Sequence, residues 1–76
     1  MKQNKPVKVR AIKRKNVLLT VIFNLDKSKY DFKEISSNIK KRLGIGGSIA
    51  GEELEFQGHK VEEIKKLLKE MGIKAQ

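Results

Sequence analysis

The spacing of apolar residues along this chain switches repeatedly between every second position and every third or fourth, and this switching constrains the fold most. Residues 6–12 alternate apolar and polar side chains, which is the spacing of a half-buried β-strand. Residues 17–25 form a largely apolar, β-branched run that predicts a second strand. Four polar residues, 13–16, separate the two runs. We therefore expect a β-hairpin with three cations at its turn, where Asn16 adopts the left-handed backbone conformation.

The helical spacing occurs in two segments. In residues 31–43 apolar side chains recur every three or four positions. Asp31 and Glu34 have the spacing of a capping box, and Gly44 stands where a helix would end. A second amphipathic segment spans about residues 59–72 and has glutamates before lysines, the order that the helix dipole favours. The sequence therefore predicts two helices.

Two further strands complete the pattern. Residues 45–49 and 53–57 are predicted strands joined near residues 50–51, and a short last strand is predicted to begin at Ile73. The element order β-β-α-β-β-α, with this last strand added, favours an α+β fold. We expect a two-layer sandwich in which two helices cover one face of a mixed β-sheet.

The positions of the few aromatic residues bear on how the chain would bind a nucleic acid. Phe23, Phe32 and Phe56 occupy apolar positions of the predicted elements, so we expect them in the core. Tyr30 lies between two charged residues and is the one aromatic residue expected at the surface. Base stacking needs exposed aromatic side chains, so this pattern favours contacts with the phosphates of a folded RNA.

The charge balance indicates a polyanionic partner. The chain has 76 residues, 18 of them Lys or Arg and 9 Asp or Glu, and a net charge of +9, which points first to nucleic acid and second to an anionic membrane.

The length predicts one domain, residues 6–76, behind a flexible basic tail, residues 1–5. No apolar run reaches the roughly 18 residues of a membrane-spanning helix, so we expect a soluble, cytoplasmic protein without a membrane partner. Seven cations and no acid lie in the first 16 residues: Lys2, Lys5, Lys8, Arg10, Lys13, Arg14 and Lys15.

The remaining motifs do not predict an enzyme. The glycine-rich segment 44–48 looks like a phosphate-binding loop, but it follows a helix and precedes a strand, whereas phosphate loops precede a helix. We interpret its glycines as a helix stop and a tight entry into a strand. His59 has no partner at a catalytic spacing, and Glu53 and Glu55 share the solvated face of a predicted strand. We predict no catalytic residue, no metal site and no cofactor.

A family resemblance lies in three segments taken together. Residues 43–49 read LGIGGSI, residues 54–58 read LEFQG, and the last helix ends in LLKEMGI at residues 67–73. With the basic hairpin and the lysine-ended helix upstream, the pattern covers residues 6–75 and resembles the eukaryotic and archaeal translation initiation factor 1 family, the start-codon fidelity factor that also has bacterial homologues. At position 59 that family usually has an acidic residue, and this chain has a histidine.

The resemblance implies a translation initiation factor that binds rRNA of the small ribosomal subunit near the P site and promotes correct start-codon selection. The basic hairpin and the end of the first helix would contact the rRNA through Arg10, Lys13, Arg14, Lys15, Asn16, Lys40, Lys41 and Arg42. The second hairpin loop would approach the initiator tRNA through Ile49, Ala50, Gly51 and Glu52. The factor would hold an open state of the subunit until correct codon–anticodon pairing displaces it, without any bond chemistry.

Other functions are left open. The same resemblance fits a domain of a factor that acts in reinitiation or ribosome recycling, and the charge alone fits a general basic nucleic-acid-binding protein. An enzyme is the least favoured alternative. The expected partners are the small ribosomal subunit, the initiator tRNA and other initiation factors, and we expect the protein itself to be a monomer.

Overall fold

The computed structural model describes residues 6–76, so the predicted basic tail, residues 1–5, lies outside the described residues. The predicted α+β class and the order of the elements are confirmed. The elements are β1 (Lys8–Arg14), β2 (Val17–Phe23), α1 (Phe32–Leu43), β3 (Gly47–Ala50), β4 (Glu53–Gln57) and α2 (Val61–Glu70).

The four strands form one antiparallel sheet in the order β1-β2-β4-β3. Within residues 6–76, parallel pairing is limited to a single bridge between Val7 and Ala75, which is the parallel part of the predicted mixed sheet. At this bridge the backbone N–H of Gln76 donates to Val7 O at 2.7 Å, and the N–H of Val9 donates to Gln76 O at 2.9 Å. The predicted last strand is therefore this short contact along the edge of β1.

The core lies between the sheet and the two helices. Successive residues of a strand point to opposite faces of a sheet, so Val9, Ile22 and Leu54, which lie opposite one another, share the helix-covered face. All three are fully buried. The other buried members of this core are Leu25, Phe32, Ile35, Ile39, Phe56, Ile64, Leu67, Leu68 and Ile73.

The first helix begins and ends where the sequence predicts. The Asp31 carboxylate accepts hydrogen bonds from the backbone N–H groups of Lys33 at 3.0 Å and Glu34 at 3.3 Å, which satisfies two donors of the first turn. Gly44 follows the helix in the left-handed conformation, with φ 65°. The three cations Lys40, Lys41 and Arg42 belong to the last turn of α1, just before the connection that enters β3.

The burial of two aromatic residues differs from the prediction. Phe23 follows the buried Ile22 on β2, so it points to the face that the helices leave uncovered, where it is half-buried and outside the core. The prediction of a core position was wrong because β2 lies inside the sheet and is apolar on both faces. Tyr30, predicted to be exposed, is half-buried against the core, and the Lys29 ammonium lies 5.7 Å from its ring centroid.

Candidate nucleic-acid interface

The turn of the first hairpin contains two residues, Lys15 and Asn16. Both have positive φ, 49° and 65°, in a two-residue turn that suits the twist of paired strands. The left-handed conformation predicted for Asn16 is confirmed, whereas the predicted four-residue connection was wrong. Lys13 and Arg14 are the last residues of β1 and pair with β2, so their side chains point to opposite faces of the hairpin.

Two arginines of the predicted rRNA contact have acidic partners in the fold. The Nη1 atom of Arg14 donates to the Oε2 atom of Glu55 at 2.7 Å. The Nη2 atom of Arg42 donates to the Oε1 atom of Glu70 at 3.3 Å, and both of these side chains are at least half exposed. The first pair is the more enclosed, because the Glu55 side chain is only 14% exposed. The prediction that Glu55 belongs to a solvated face was therefore wrong.

Arg10 has a structural role in the described fold. Its Nη1 atom donates to the carbonyl oxygens of Val9 and Gln76, each at 2.9 Å. The same Gln76 carbonyl accepts the backbone N–H of Val9. Arg10 therefore holds residue 76 against the edge of β1, and its guanidinium is already engaged on that side.

Four lysines of the predicted contact remain unpaired: within residues 6–76 no salt bridge involves Lys13, Lys15, Lys40 or Lys41. Lys13, Lys15 and Lys41 are exposed, and Lys40 is half-buried. A lysine ammonium without an internal partner can neutralise a phosphate at no cost to a native ion pair. The role of each residue as an RNA contact stays a prediction.

The hairpin turn and the β4–α2 connection lie at the same end of the sheet. The backbone N–H of Gly58 donates to Leu18 O at 2.9 Å, which places the connection beside the start of β2. His59 is exposed and Lys60 is half-buried in that connection. We call this the hairpin end, comprising residues 13–16 and 57–60. Sequence reasoning missed Lys60 as part of the basic surface, because its proximity to β2 depends on strand register.

The predicted tRNA-proximal loop lies at the opposite end of the sheet. Leu54, which follows this loop, pairs with Ile22 near the far end of β2, whereas Gln57 pairs with Leu19 near the hairpin. Residues 49–52 are all exposed, and Gly51 has φ 62° in the tight connection. The hairpin residues 13–16 are therefore separated from this loop by the length of the sheet, whereas Lys40 at the end of α1 lies beside Ile49.

Thr20 of β2 anchors the β4–α2 connection at the hairpin end, and sequence reasoning did not identify it. Its side chain is fully buried. The hydroxyl donates to Gly58 O at 2.7 Å and accepts the backbone N–H of Lys60 at 2.8 Å. This pair of hydrogen bonds fixes the start of α2, where Lys60 at the N-cap position provides no side-chain cap.

The glycine-rich segment 44–48 has the structural role that its sequence context predicts. Gly44 ends α1, and Gly47 is the first residue of β3, where it pairs with Phe56 of β4. A Cβ atom on Gly47 would lie 2.6 Å from Glu55 O and 2.7 Å from the Phe56 ring, closer than real Cβ contacts occur. Only glycine fits here without movement of the chain, so the cluster serves strand packing.

Some kinds of site find no support in the described part of the chain. No group of three or more His, Asp or Glu residues among residues 6–76 is placed to hold a metal ion. Neither α1 nor α2, the helices found in that range, has the length and apolar character needed to cross a membrane.

Comparison with known proteins identifies the family. The model of the SUI1 translation initiation factor family matches residues 3–74. A protein translation factor SUI1 homolog of Sulfurisphaera tokodaii is 33% identical over 72 residues, which cover 93% of this chain and 72% of the relative. An uncharacterized protein of Haemophilus influenzae is 38% identical over 61 residues, 80% of this chain. The chain therefore belongs to the SUI1 family of translation initiation factors, as the sequence resemblance predicts.

Several relatives are considerably longer than the matched region. The match covers 58% of the Haemophilus influenzae protein. A SUI1 homolog of Thermococcus onnurineus is 34% identical over 55 residues, 72% of this chain and 56% of the relative. The chain thus spans little more than half the length of these relatives.

Proposed function

We propose that this protein is a cytoplasmic translation initiation factor that binds the small ribosomal subunit by contacting rRNA near the P site. Membership of the SUI1 family supports a role in initiation. The observation that carries the proposal is the pair of exposed lysines at the hairpin end, Lys13 and Lys15, which have no salt-bridge partner among residues 6–76. Their placement on a two-residue turn gives a narrow cationic tip that can reach backbone phosphates.

The arginines contribute less to this contact than the lysines do. Arg10 is engaged with residue 76, and Arg14 with Glu55. Because an RNA phosphate must compete with these partners, the net gain from contacting them is smaller. Lys40 and Lys41, at the end of α1, are the second set of free cations that we assign to the rRNA.

The opposite end of the sheet supplies selectivity in this proposal. Glu52 is exposed in the loop 49–52, and its negative charge repels the phosphates of a tRNA that approaches this end. With the hairpin end bound to rRNA, the loop disfavours a closely seated initiator tRNA until correct codon–anticodon pairing displaces the factor. This is start-codon selection by a binding penalty on incorrect pairing, and it makes or breaks no covalent bond.

Co-sedimentation with purified small ribosomal subunits tests the proposal. We compare the full chain with Lys13→Glu/Lys15→Glu and with Lys66→Glu/Lys69→Glu, which makes the same charge change at exposed positions of α2. The hairpin variant should keep the circular dichroism spectrum of the parent and lose affinity for the subunit, while the α2 variant retains most of it. The slope of log affinity against log salt should fall by about 0.7–0.9 for each lost phosphate contact.

Two results would contradict the proposal. One is equal loss of binding in the hairpin variant and the α2 variant, which would show that only the net charge matters. The other is equal affinity of the parent chain for small subunits and for duplex DNA at matched salt, which would favour a general nucleic-acid-binding protein.

A further inference from the structure

The two outer strands of the sheet differ in how their free edges are protected. Strand β1 carries four cations, and residues 75 and 76 lie along part of its edge, where the N–H of Val9 donates to Gln76 O at 2.9 Å. Sheets use charged side chains and covering segments of this kind to prevent unwanted pairing. Strand β3 reads GSIA, without charge or proline, and no strand within residues 6–76 pairs with its outer side. The edge of β3 is therefore the candidate for pairing with another chain.

The backbone of β3 directs hydrogen-bonding groups toward this open side. The N–H of Gln57 donates to Gly46 O at 2.9 Å, so these two opposite residues form a hydrogen-bonded pair. Such pairs alternate with pairs that are not hydrogen-bonded, so Ser48 also directs its peptide groups toward β4. Gly47 and Ile49 then direct their N–H and C=O groups away from the sheet. These groups are available to an extended segment that lies along the edge.

The side chains beside this edge are apolar and cationic. Ile49 pairs with the buried Leu54, so its side chain lies on the helix-covered face of the sheet, where it is 41% exposed. A groove of about 250 Å³ lies between β3 and α1, and Lys33 and Lys40 of α1 line it together with Ile49. No acidic side chain of residues 6–76 lines this groove. The groove is therefore complementary to a segment that combines an apolar side chain with negative charges.

The spacing of the two lysines fits an extended segment. Positions 33 and 40 are seven residues apart on α1, which is about 10.5 Å along the axis of a helix. On a strand, side chains two positions apart share a face, and those four positions apart are separated by about 13 Å. The flexible lysine stems can bridge the small difference. Acidic residues four positions apart, with an apolar residue midway, therefore place one carboxylate near each ammonium group and the apolar side chain beside Ile49.

We propose that the edge of β3 binds an acidic, extended segment of another protein, which adds an antiparallel strand to the sheet. Main-chain hydrogen bonds to Gly47 and Ile49 supply affinity, and the alternating acidic and apolar side chains supply specificity. A second copy of this chain fits less well, because each copy carries a net charge of +9 and a two-fold pairing of β3 would bring the lysines of both α1 helices together. An RNA backbone lacks the regularly spaced N–H and C=O groups that extend a sheet.

An NMR titration of the full chain with two peptides of identical composition tests the side-chain pattern. The peptide acetyl-TETVTET-amide has both glutamates on the same face as the valine when extended, and acetyl-ETTVTTE-amide has them on the opposite face. With the first peptide, the amide signals of Gly47 and Ile49 should shift and saturate. The second should bind about fivefold more weakly, the size expected for the loss of two cross-strand charge pairs. Equal affinities of the two peptides would overturn the proposal.

Methylation of a peptide nitrogen tests the strand pairing itself. With the central valine of the first peptide opposite Ile49, its N–H donates to Ile49 O, so N-methylation of this valine should abolish binding. The N–H of the threonine that follows the valine points away from β3, and its N-methylation should leave most of the affinity. Amide hydrogen exchange of Ile49 should slow when the first peptide is bound, whereas Ser48, already paired with β4, should keep its rate. Equal binding of the two methylated peptides would overturn strand addition.

Variants and two further titrations test the charge and the choice of partner. Lys33→Gln should weaken binding of the first peptide, and Lys66→Gln, which removes the same charge from an exposed position of α2, should not. Equal effects of the two variants would overturn the role of the groove. Movement of the Gly47 and Ile49 signals on simple dilution of the free chain would assign the edge to a second copy instead. Larger shifts of these signals with a ten-residue oligouridine than with the peptide would assign it to RNA.

Co-sedimentation with small subunits separates this proposal from the proposed function, which depends on Lys13 and Lys15 rather than on the edge of β3. If the parent chain binds the subunit and does not distinguish the two peptides, strand addition is wrong and the proposed function stands. If the parent chain does not bind the subunit while the first peptide still binds more tightly than the second, the peptide site stands and the proposed function is wrong.

Discussion

The guanidinium of Arg14 and the carboxylate of Glu55 lie 2.7 Å apart across the face of the sheet that the helices leave uncovered. The two residues belong to β1 and β4, and β2 lies between these strands, so the ion pair spans three strands. The Arg14 side chain is 49% exposed and that of Glu55 is 14% exposed. Arg14 is therefore part of the fold as well as a candidate RNA contact, which distinguishes it from Lys13 and Lys15.

Glu55→Gln should release Arg14 for RNA binding. The variant keeps the shape of the side chain and removes its charge, so the free energy of unfolding should fall by about 1 kcal/mol or less, as for a partly exposed ion pair. Affinity for small ribosomal subunits should rise by more than the added net charge explains. Glu62→Gln makes the same charge change at an exposed position of α2 and is the reference. Equal gains in co-sedimentation for the two variants would show that the ion pair does not restrain Arg14.

Thr20→Val should destabilise the start of α2. The substitution removes the hydroxyl that joins Gly58 O and Lys60 N–H, and a partly buried polar group left without its partner costs about 1–3 kcal/mol. Urea denaturation measures the loss, and amide hydrogen exchange of Lys60 should accelerate. Thr20→Ser keeps the hydroxyl and should retain the slow exchange. If the serine variant exchanges as fast as the valine variant, the hydroxyl by itself does not account for the protection of the Lys60 amide.

The sequence predicted those features of the fold that depend on residues close to one another in the chain. The spacing of apolar residues gave the six elements, Asp31 and Gly44 marked the ends of α1, and Asn16 marked the hairpin turn. The position of Phe23 was mispredicted because an apolar run in an inner strand lacks the alternation that identifies its two faces. Such a run shows that a strand is buried without showing which side faces the helices.

The candidate site was predictable in composition and only partly in arrangement. The excess of cations near the hairpin is visible in the sequence, and Lys13 and Lys15 are exposed as expected. Which cations are free is not visible, because Arg14 and Glu55 are 41 positions apart and meet only through the pairing of three strands.

Gly47→Ala should be more destabilising than Gly46→Ala. At Gly47 a Cβ atom would lie 2.6 Å from the backbone oxygen of Glu55, so β3 would have to move away from β4. Overpacking of this kind costs about 1–3 kcal/mol. At Gly46 the nearest atom is the side-chain oxygen of Gln57 at 2.9 Å, and a flexible side chain can rotate away. Thermal unfolding followed by circular dichroism should rank the two variants in this order. The reverse order would mean that the close approach of β3 to Phe56 is not what requires the glycine.

Phe56→Ala should leave little folded protein, whereas Phe23→Ala should leave a stable domain. Phe56 is fully buried between the sheet and the helices, and removal of such a side chain costs about 3–5 kcal/mol. A small domain has only about 5–15 kcal/mol of stability in total, and 76 residues place this one toward the lower end. Phe23 is half-buried on the uncovered face, so the same truncation removes fewer contacts and leaves no enclosed cavity. Urea unfolding curves of both variants measure the difference. Equal losses would mean that Phe23 is covered as completely as Phe56.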